Sequence, residues 1–334
     1  GNLEGQNVQP EDSDILEDFL LNIAPNGIDF IDTVTQNKLI RRFLDNGKQP
    51  LMDLTKEEVI FIDNSLQQRG HKDDPNVELL RGSLTPEAIA KAFGVPRIQV
   101  AYANQLPYID NVSDIVVVLG QLSINEFSND TDFVNLEYTR ELSVLNDARF
   151  YAPKLSYVKK LTLSDNTTTD LPSLKSAKEV TLSLSAKLKA NKLEGVSSLW
   201  AYEYSELYAP NLITIKDSAN IKLGAKLTLP KLHTVSYLYF ETSPSDSRAA
   251  YKNDGGKGGN VKPNTNTKYS FPSLKQVRRF VAADNVELNF PELKRATSFD
   301  LAGIKYISTP KLEKVDNLSV VDTHLESASL NTAA

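Results

Sequence analysis

Three histidines, His71, His233 and His324, and one glycine-flanked lysine, Lys257, have the most direct claim on chemistry in this chain. None of the histidines has a partner at metal-ligand spacing, and none neighbours a Ser or Asp in a nucleophile frame. Cysteine is absent, which excludes disulfides, thiolate metal sites and a Cys nucleophile. Lys257 does not sit in a phosphate loop. Such a loop needs a preceding strand and a Ser or Thr after the lysine, and here Gly258 follows. Nor does an inward cluster of Asp or Glu recur at one phase of adjacent repeats, as a glycoside-cleaving pair on a repeating scaffold would require. The residues point away from an enzyme, and no cofactor or metal is expected. What remains is aromatic. Trp200, the only tryptophan, is followed by Tyr202 and Tyr204, with Tyr208 near in sequence and Tyr239 further on. Leu199 and Ala201 take the alternate, inward phase, so Trp200, Tyr202 and Tyr204 are expected outward on one strand, with Tyr239 at the same phase two repeats later. Such a platform suits a sugar or a protein partner. The competing reading is that these rings only shield the sheet, or pack under the segment that begins just after Tyr239.

The elements that must carry these rings are legible as a repeat. Proline recurs at 153, 172, 210, 230, 272, 291 and 310, with gaps of 19, 38, 20, 42, 19 and 19. Asn191 and Val134 open further copies in the same frame, and Pro107 opens a looser one, which makes ten. Two residues after each anchor stand Ile109, Leu136, Leu155, Leu174, Leu193, Leu212, Leu232, Leu274, Leu293 and Leu312. Eight residues after it stand Ile115, Leu142, Leu161, Val180, Leu199, Ser218, Leu238, Phe280, Phe299 and Leu318; Ser218 marks a local slip. The period-two alternation of Leu161-Thr-Leu163 predicts a half-buried strand there, and pieces such as Leu288-Asn-Phe290 predict a second short extended segment leading into each proline. A fixed period near 19 means a solenoid, in which each coil is stabilised by its neighbours. The fold expected is therefore mainly β: a right-handed β-solenoid of about ten coils of about 19 residues, behind a small all-α N-terminal domain.

The domain reading is a polar, disordered tether at 1–13, a helical cap at 14–100 and the solenoid at 101–334, with an inserted loop at 243–270. Ser13-Asp14 is expected to cap a helix that Pro25-Asn26-Gly27 stops; a second helix follows Thr35 and ends at Asn46-Gly47. The capping-box pattern Thr55-Lys-Glu-Glu58 opens a third helix, and Thr85-Pro86 a fourth that ends at Gly94. The apolar run at 115–119 predicts a strand covered on both faces, with the helices as cover. The inserted loop carries five basic and two acidic residues and grows from one corner of its coil. After Pro310 one more strand is expected, then a partial coil at 323–330. Net charge is −6, split as −7 over residues 1–100 and +1 over the rest, so bulk charge does not point to nucleic acid. No run of 18 apolar residues exists, so no transmembrane segment is expected.

The frame Pro-x-Leu-x-x-Val-x-x-Leu-x-Leu, as in Pro153–Leu163 and, with Val320 closing it, after Pro310, resembles leucine-rich-repeat-like surface proteins of Bacteroidetes, the BspA-like group, and the receptor L-domain repeat. The resemblance covers about residues 105–322. It implies an extracellular or outer-surface location, export as a lipoprotein with its anchor upstream of Gly1, and adhesion or host contact through protein or glycan binding. No ligand residue carries over. The function expected is non-catalytic recognition through Trp200, Tyr202, Tyr204 and Tyr239. The alternatives are a polysaccharide-acting enzyme on the same scaffold and a structural spacer.

Overall fold

A computed structural model describes residues 24–66, 74–126, 131–222, 224–241, 268–283, 286–323 and 325–326. The repeat is a parallel β-solenoid. Eleven strands form one continuous wall that runs from Val100–Tyr102 to Lys314–Val321, each strand pairing in parallel with those one coil before and after. Short strands of two or three residues build a second wall in two pieces. Five strands run from Arg149–Tyr151 to Lys226–Thr228, and four run from Lys268–Ser270 to Leu325–Glu326.

Alternation places one apolar column behind the long wall. Leu122, Leu142, Leu161, Val180, Leu199, Ala219, Leu238, Phe280, Phe299 and Leu318 are register partners from coil to coil. The leucines two after each anchor meet them from the other side: Leu155, Leu174, Leu193 and Leu293 are all at 0% exposure. Burying each such side chain is worth about 1.5–3 kcal/mol. The slip at Ser218 is a register shift after Ile215, which brings Ala219 into the column. One extra residue in that coil, 20 rather than 19 between Pro210 and Pro230, accounts for it. In the first coil Leu122 holds the column position, and Ile115 lies just ahead of the strand Val117–Ile124. Pro107 is inside a short 3-10 helix, Ala103–Tyr108, which displaces the frame there.

The corner after each of the four consecutive long strands from Tyr138–Val144 to Gly195–Ala201 turns on paired left-handed residues: Asn146/Asp147 (φ 56° and 60°), Asp165/Asn166 (58°, 58°), Leu184/Ser185 (49°, 63°) and Glu203/Tyr204 (56°, 62°). Two consecutive positive φ values define a type I′ turn, natural for Asn and Asp and costly, at roughly 1–2 kcal/mol per residue, for Leu or Tyr. Coil-to-coil hydrogen bonds impose it. Asp147 N–H donates to Asp165 C=O (2.9 Å), Asn166 N–H to Leu184 C=O (2.8 Å) and Ser185 N–H to Glu203 C=O (2.8 Å).

Four helices precede the solenoid among the described residues: α1 (Ala24–Asp45), α2 (Lys56–Asn64), α3 (Pro75–Arg81) and α4 (Pro86–Phe93). Whether Pro25-Asn26-Gly27 stops a helix before it falls outside the described residues, but it does not precede a break before Thr35. It lies in the first turn of α1, where a proline's missing N–H costs nothing, and α1 runs on through Thr35. The residues expected to form a helix before it lie outside those described. The Thr55–Glu58 capping box forms, and α4 starts at Thr85 and ends on left-handed Gly94 (φ 67°). The helices share a core with Val116, Val117 and Tyr138, whereas Val118 and Leu142 face the solenoid interior. The first long strands are thus covered on both faces. The Tyr138 hydroxyl donates to Asp63 and accepts from Asn64 Nδ2 (2.9 Å), while Lys56 pairs with Glu137 at 3.2 Å.

At the inserted loop, Lys268–Ser270 is a short strand of the second wall, not loop; it leads into Pro272 as its counterparts lead into theirs. The rest of the insertion lies outside the described residues, as do 1–13 and 327–334. Leu325–Glu326 pairs with Tyr306–Ser308, so a short strand follows the last long one.

Candidate recognition surfaces

The long wall presents one outward row that across six successive coils reads Thr162, Thr181, Trp200, Asn220, Tyr239 and Val281, and continues to Asp300. Leu199 and Ala201 on either side of Trp200 are buried, as are Leu238 and Phe240 beside Tyr239, which fixes both rings outward. They stand two strands apart, about 10 Å, with Asn220 between them. A ring that sequence reasoning missed completes the group. Tyr237, two residues before Tyr239 and on the same face, stacks on it with centroids 6.5 Å apart and planes 6° from parallel. The alternation Tyr237-Leu-Tyr239 was the available signal. Beside Tyr237 the adjacent row carries Ser198 and Ser218, so small hydroxyls floor the space between the aromatic walls.

Tyr202 and Tyr204 do not share that row. The strand ends at Ala201, and both tyrosines belong to the corner, where Ser205 N–H closes the turn onto Tyr202 C=O (3.0 Å). The alternation that predicted them outward on the strand runs past the strand's end. The Tyr202 ring is covered by Lys222 Nζ at 5.6 Å, and Lys222 is held by Glu241 at 3.4 Å. Burial, then the nearby Glu203 and Glu241 carboxylates, pushes the Tyr202 phenol above its ordinary value. Burial alone raises Tyr204. Trp200, Tyr202, Tyr204 and Tyr239 are all half-buried. Tyr208, close in sequence, is on the second wall and belongs to a different surface.

That second surface is a groove of about 800 Å³ across the five short strands. One outward row reads Arg149, Thr168, Lys187, Glu206, Lys226; the parallel row, two residues on, reads Tyr151, Asp170, Lys189, Tyr208, Thr228. Burial raises Asp170 above the usual carboxylate range, and the Lys189 ammonium opposes the shift. These rows fall four and two residues before each repeat anchor, so the register that located the leucines also locates them.

His233 is half-buried, and its backbone N–H donates to Ile213 C=O (2.8 Å); His71 and His324 lie outside the described residues. Among the described residues no three Asp, Glu or His side chains gather as a metal-holding group. No described helix is long and apolar enough to cross a membrane. No family model matches this chain, and neither a curated protein nor a solved structure matches it.

Proposed function

We propose that this chain is a non-catalytic recognition protein that binds a neutral glycan on the long wall, with its coils wound right-handed in the leucine-rich-repeat manner. The supporting observation is the Trp200–Asn220–Tyr239 row. Two ring faces about 10 Å apart flank a side-chain amide that both donates and accepts hydrogen bonds. Apolar sugar faces stack on such rings while hydroxyls meet Asn220, Ser198 and Ser218. Around the two rings this row is uncharged from Thr162 to Val281, with its first charge at Asp300 one strand beyond, which favours a neutral ligand at the rings themselves. Tyr202 serves the corner, where Lys222 occupies its ring face. In this reading the protein is exported, held at the outer cell surface by a lipid anchor upstream of Gly1, and acts in adhesion or capture.

The test is a glycan and protein array probed with the wild type and with Trp200→Ala/Tyr239→Ala. Loss of at least about tenfold in binding to neutral glycans is expected, because aromatic anchors carry a large share of such contacts. Equal binding by the double variant sinks the platform, and binding confined to proteins replaces the glycan with a protein partner.

A further inference from the structure

We infer that the groove on the short-strand wall is a second binding site, for a linear polysaccharide that carries one carboxylate in every two sugars. The inference stands independently of the aromatic row, which lies on the other wall.

Four cations, Arg149, Lys187, Lys189 and Lys226, and two carboxylates, Asp170 and Glu206, line the groove, leaving it +2 on a chain of net charge −6. Their order matters more than their sum. Along one row the strands read cation, neutral, cation, anion, cation: Arg149, Thr168, Lys187, Glu206, Lys226. Cations recur at every second strand, about 10 Å apart. Glu206 repels any acid that lands between Lys187 and Lys226. A polymer with an acid on every sugar therefore meets repulsion at the Glu206 strand and no cation of this row at the Thr168 strand. An extended peptide shows the side chains of one face every 6–7 Å or so, out of step with the cations after a single interval. An extended sugar chain with acids on alternate units keeps step.

Lys187 and Lys226 are exposed and make no ion pair with any described residue. In the neighbouring row Tyr151 and Tyr208 stand three strands apart, about 14 Å, and Tyr208 is 43% exposed. The Tyr208 ring, on the Glu206 strand, offers a face for the sugar between two acid-bearing units, and the Tyr151 ring, on the Arg149 strand, offers one beside that cation.

The experiment is isothermal titration of the full chain at low ionic strength with hyaluronate oligosaccharides, whose carboxylates alternate. Polygalacturonate, chitooligosaccharides and polyglutamate serve as comparators. Hyaluronate is expected to bind, to weaken as salt is raised, and to weaken by about tenfold or more in Lys187→Gln/Lys226→Gln. Lys187→Arg/Lys226→Arg should retain binding, and Trp200→Ala/Tyr239→Ala should leave it unchanged. Absence of hyaluronate binding overturns the inference, as does equal binding by the glutamine variant. Equal or tighter binding of polygalacturonate removes the alternate spacing, and tighter binding of polyglutamate makes the site one for acidic peptides.

Discussion

Coils before the insertion and coils after it enclose the same cross-section with different side chains. Before it, the column behind the long wall is aliphatic, Leu142, Leu161, Val180 and Leu199, and the residue ahead of the anchor is alanine at 152, 190 and 209 and larger at Phe133, Leu171 and Leu229. After it, the column holds Phe280 and Phe299, and the residue ahead of the anchor is Phe271, Phe290 and then Thr309. Some of the added volume is offset by small neighbours on the same strands. Ala282 stands on the Phe280 strand where Leu163 accompanies Leu161, and Ala296 stands beside Phe299. Phe240 marks the change, with ring centroids 4.9 Å from Tyr269, 5.7 Å from Phe271 and 5.9 Å from Phe280. Backbone shape is thus kept while side-chain volume moves between columns, as close packing requires. The two halves differ in coupling. Phe280 also meets Phe290 (5.3 Å) and Phe299 (4.7 Å), so one ring ties three coils together, whereas Leu161 sits among branched aliphatic side chains.

The largest effect that separates the halves should come from Phe280→Ala. We expect a loss of about 3–5 kcal/mol, with Leu161→Ala costing less within the general 2–5 kcal/mol range for a buried aliphatic. Denaturant unfolding of both variants decides it; equal losses dissolve the distinction between the halves. A smaller effect lies at the boundary between them. The Tyr269 hydroxyl donates to Ala225 C=O (2.7 Å), so Tyr269→Phe should cost about 1 kcal/mol at neutral pH. Burial raises the Tyr269 phenol, and burial with the Asp63 charge raises Tyr138. The native state therefore keeps these protons where the unfolded chain, titrating near pH 10 or so, loses them. This stability is whole below about pH 10 and declines above it. Alkaline unfolding curves should fall less steeply in Tyr269→Phe, and an unchanged slope would remove Tyr269 from the account. The smallest effect belongs to the aliphatic half. Thr169 is fully buried, and its Oγ1 finds no partner among the described residues. Thr169→Val should raise stability, by up to about 1 kcal/mol, in thermal melts.

Much of the scaffold was legible because each coil repeats one constraint. Leu155, Leu174, Leu193 and Leu293 could be placed behind the wall from spacing alone, and Thr55 and Thr85 could be placed as helix starts from their capping residues. Period two also marked Trp200 and Tyr239 as outward. It misled at Tyr202 and Tyr204, since alternation alone carries no mark of where a strand stops. The mark is normally an Asn or Asp in the turn, as at Asn146/Asp147 and Asp165/Asn166. At Glu203/Tyr204 the neighbouring coils impose the turn on residues that do not favour it, so the local sequence is silent. Ile115 was misplaced for a related reason. The first coil spans 27 residues from Pro107 to Val134, and a frame counted in steps of 19 drifts within it. Tyr237 and the groove cations were within reach of the same register that located the leucines.

The split in the short-strand wall leaves the two walls unequally joined at one coil. At the coil that carries the insertion, the long wall is joined by seven registered pairs, from Thr234 with Gln276 to Glu241 with Ala283. Across from it the two short ladders stop and restart without pairing to each other. The long sheet therefore carries the backbone pairing past the insertion, while across from it the Tyr269–Ala225 hydrogen bond and the Phe240–Tyr269 ring contact stand in for a ladder.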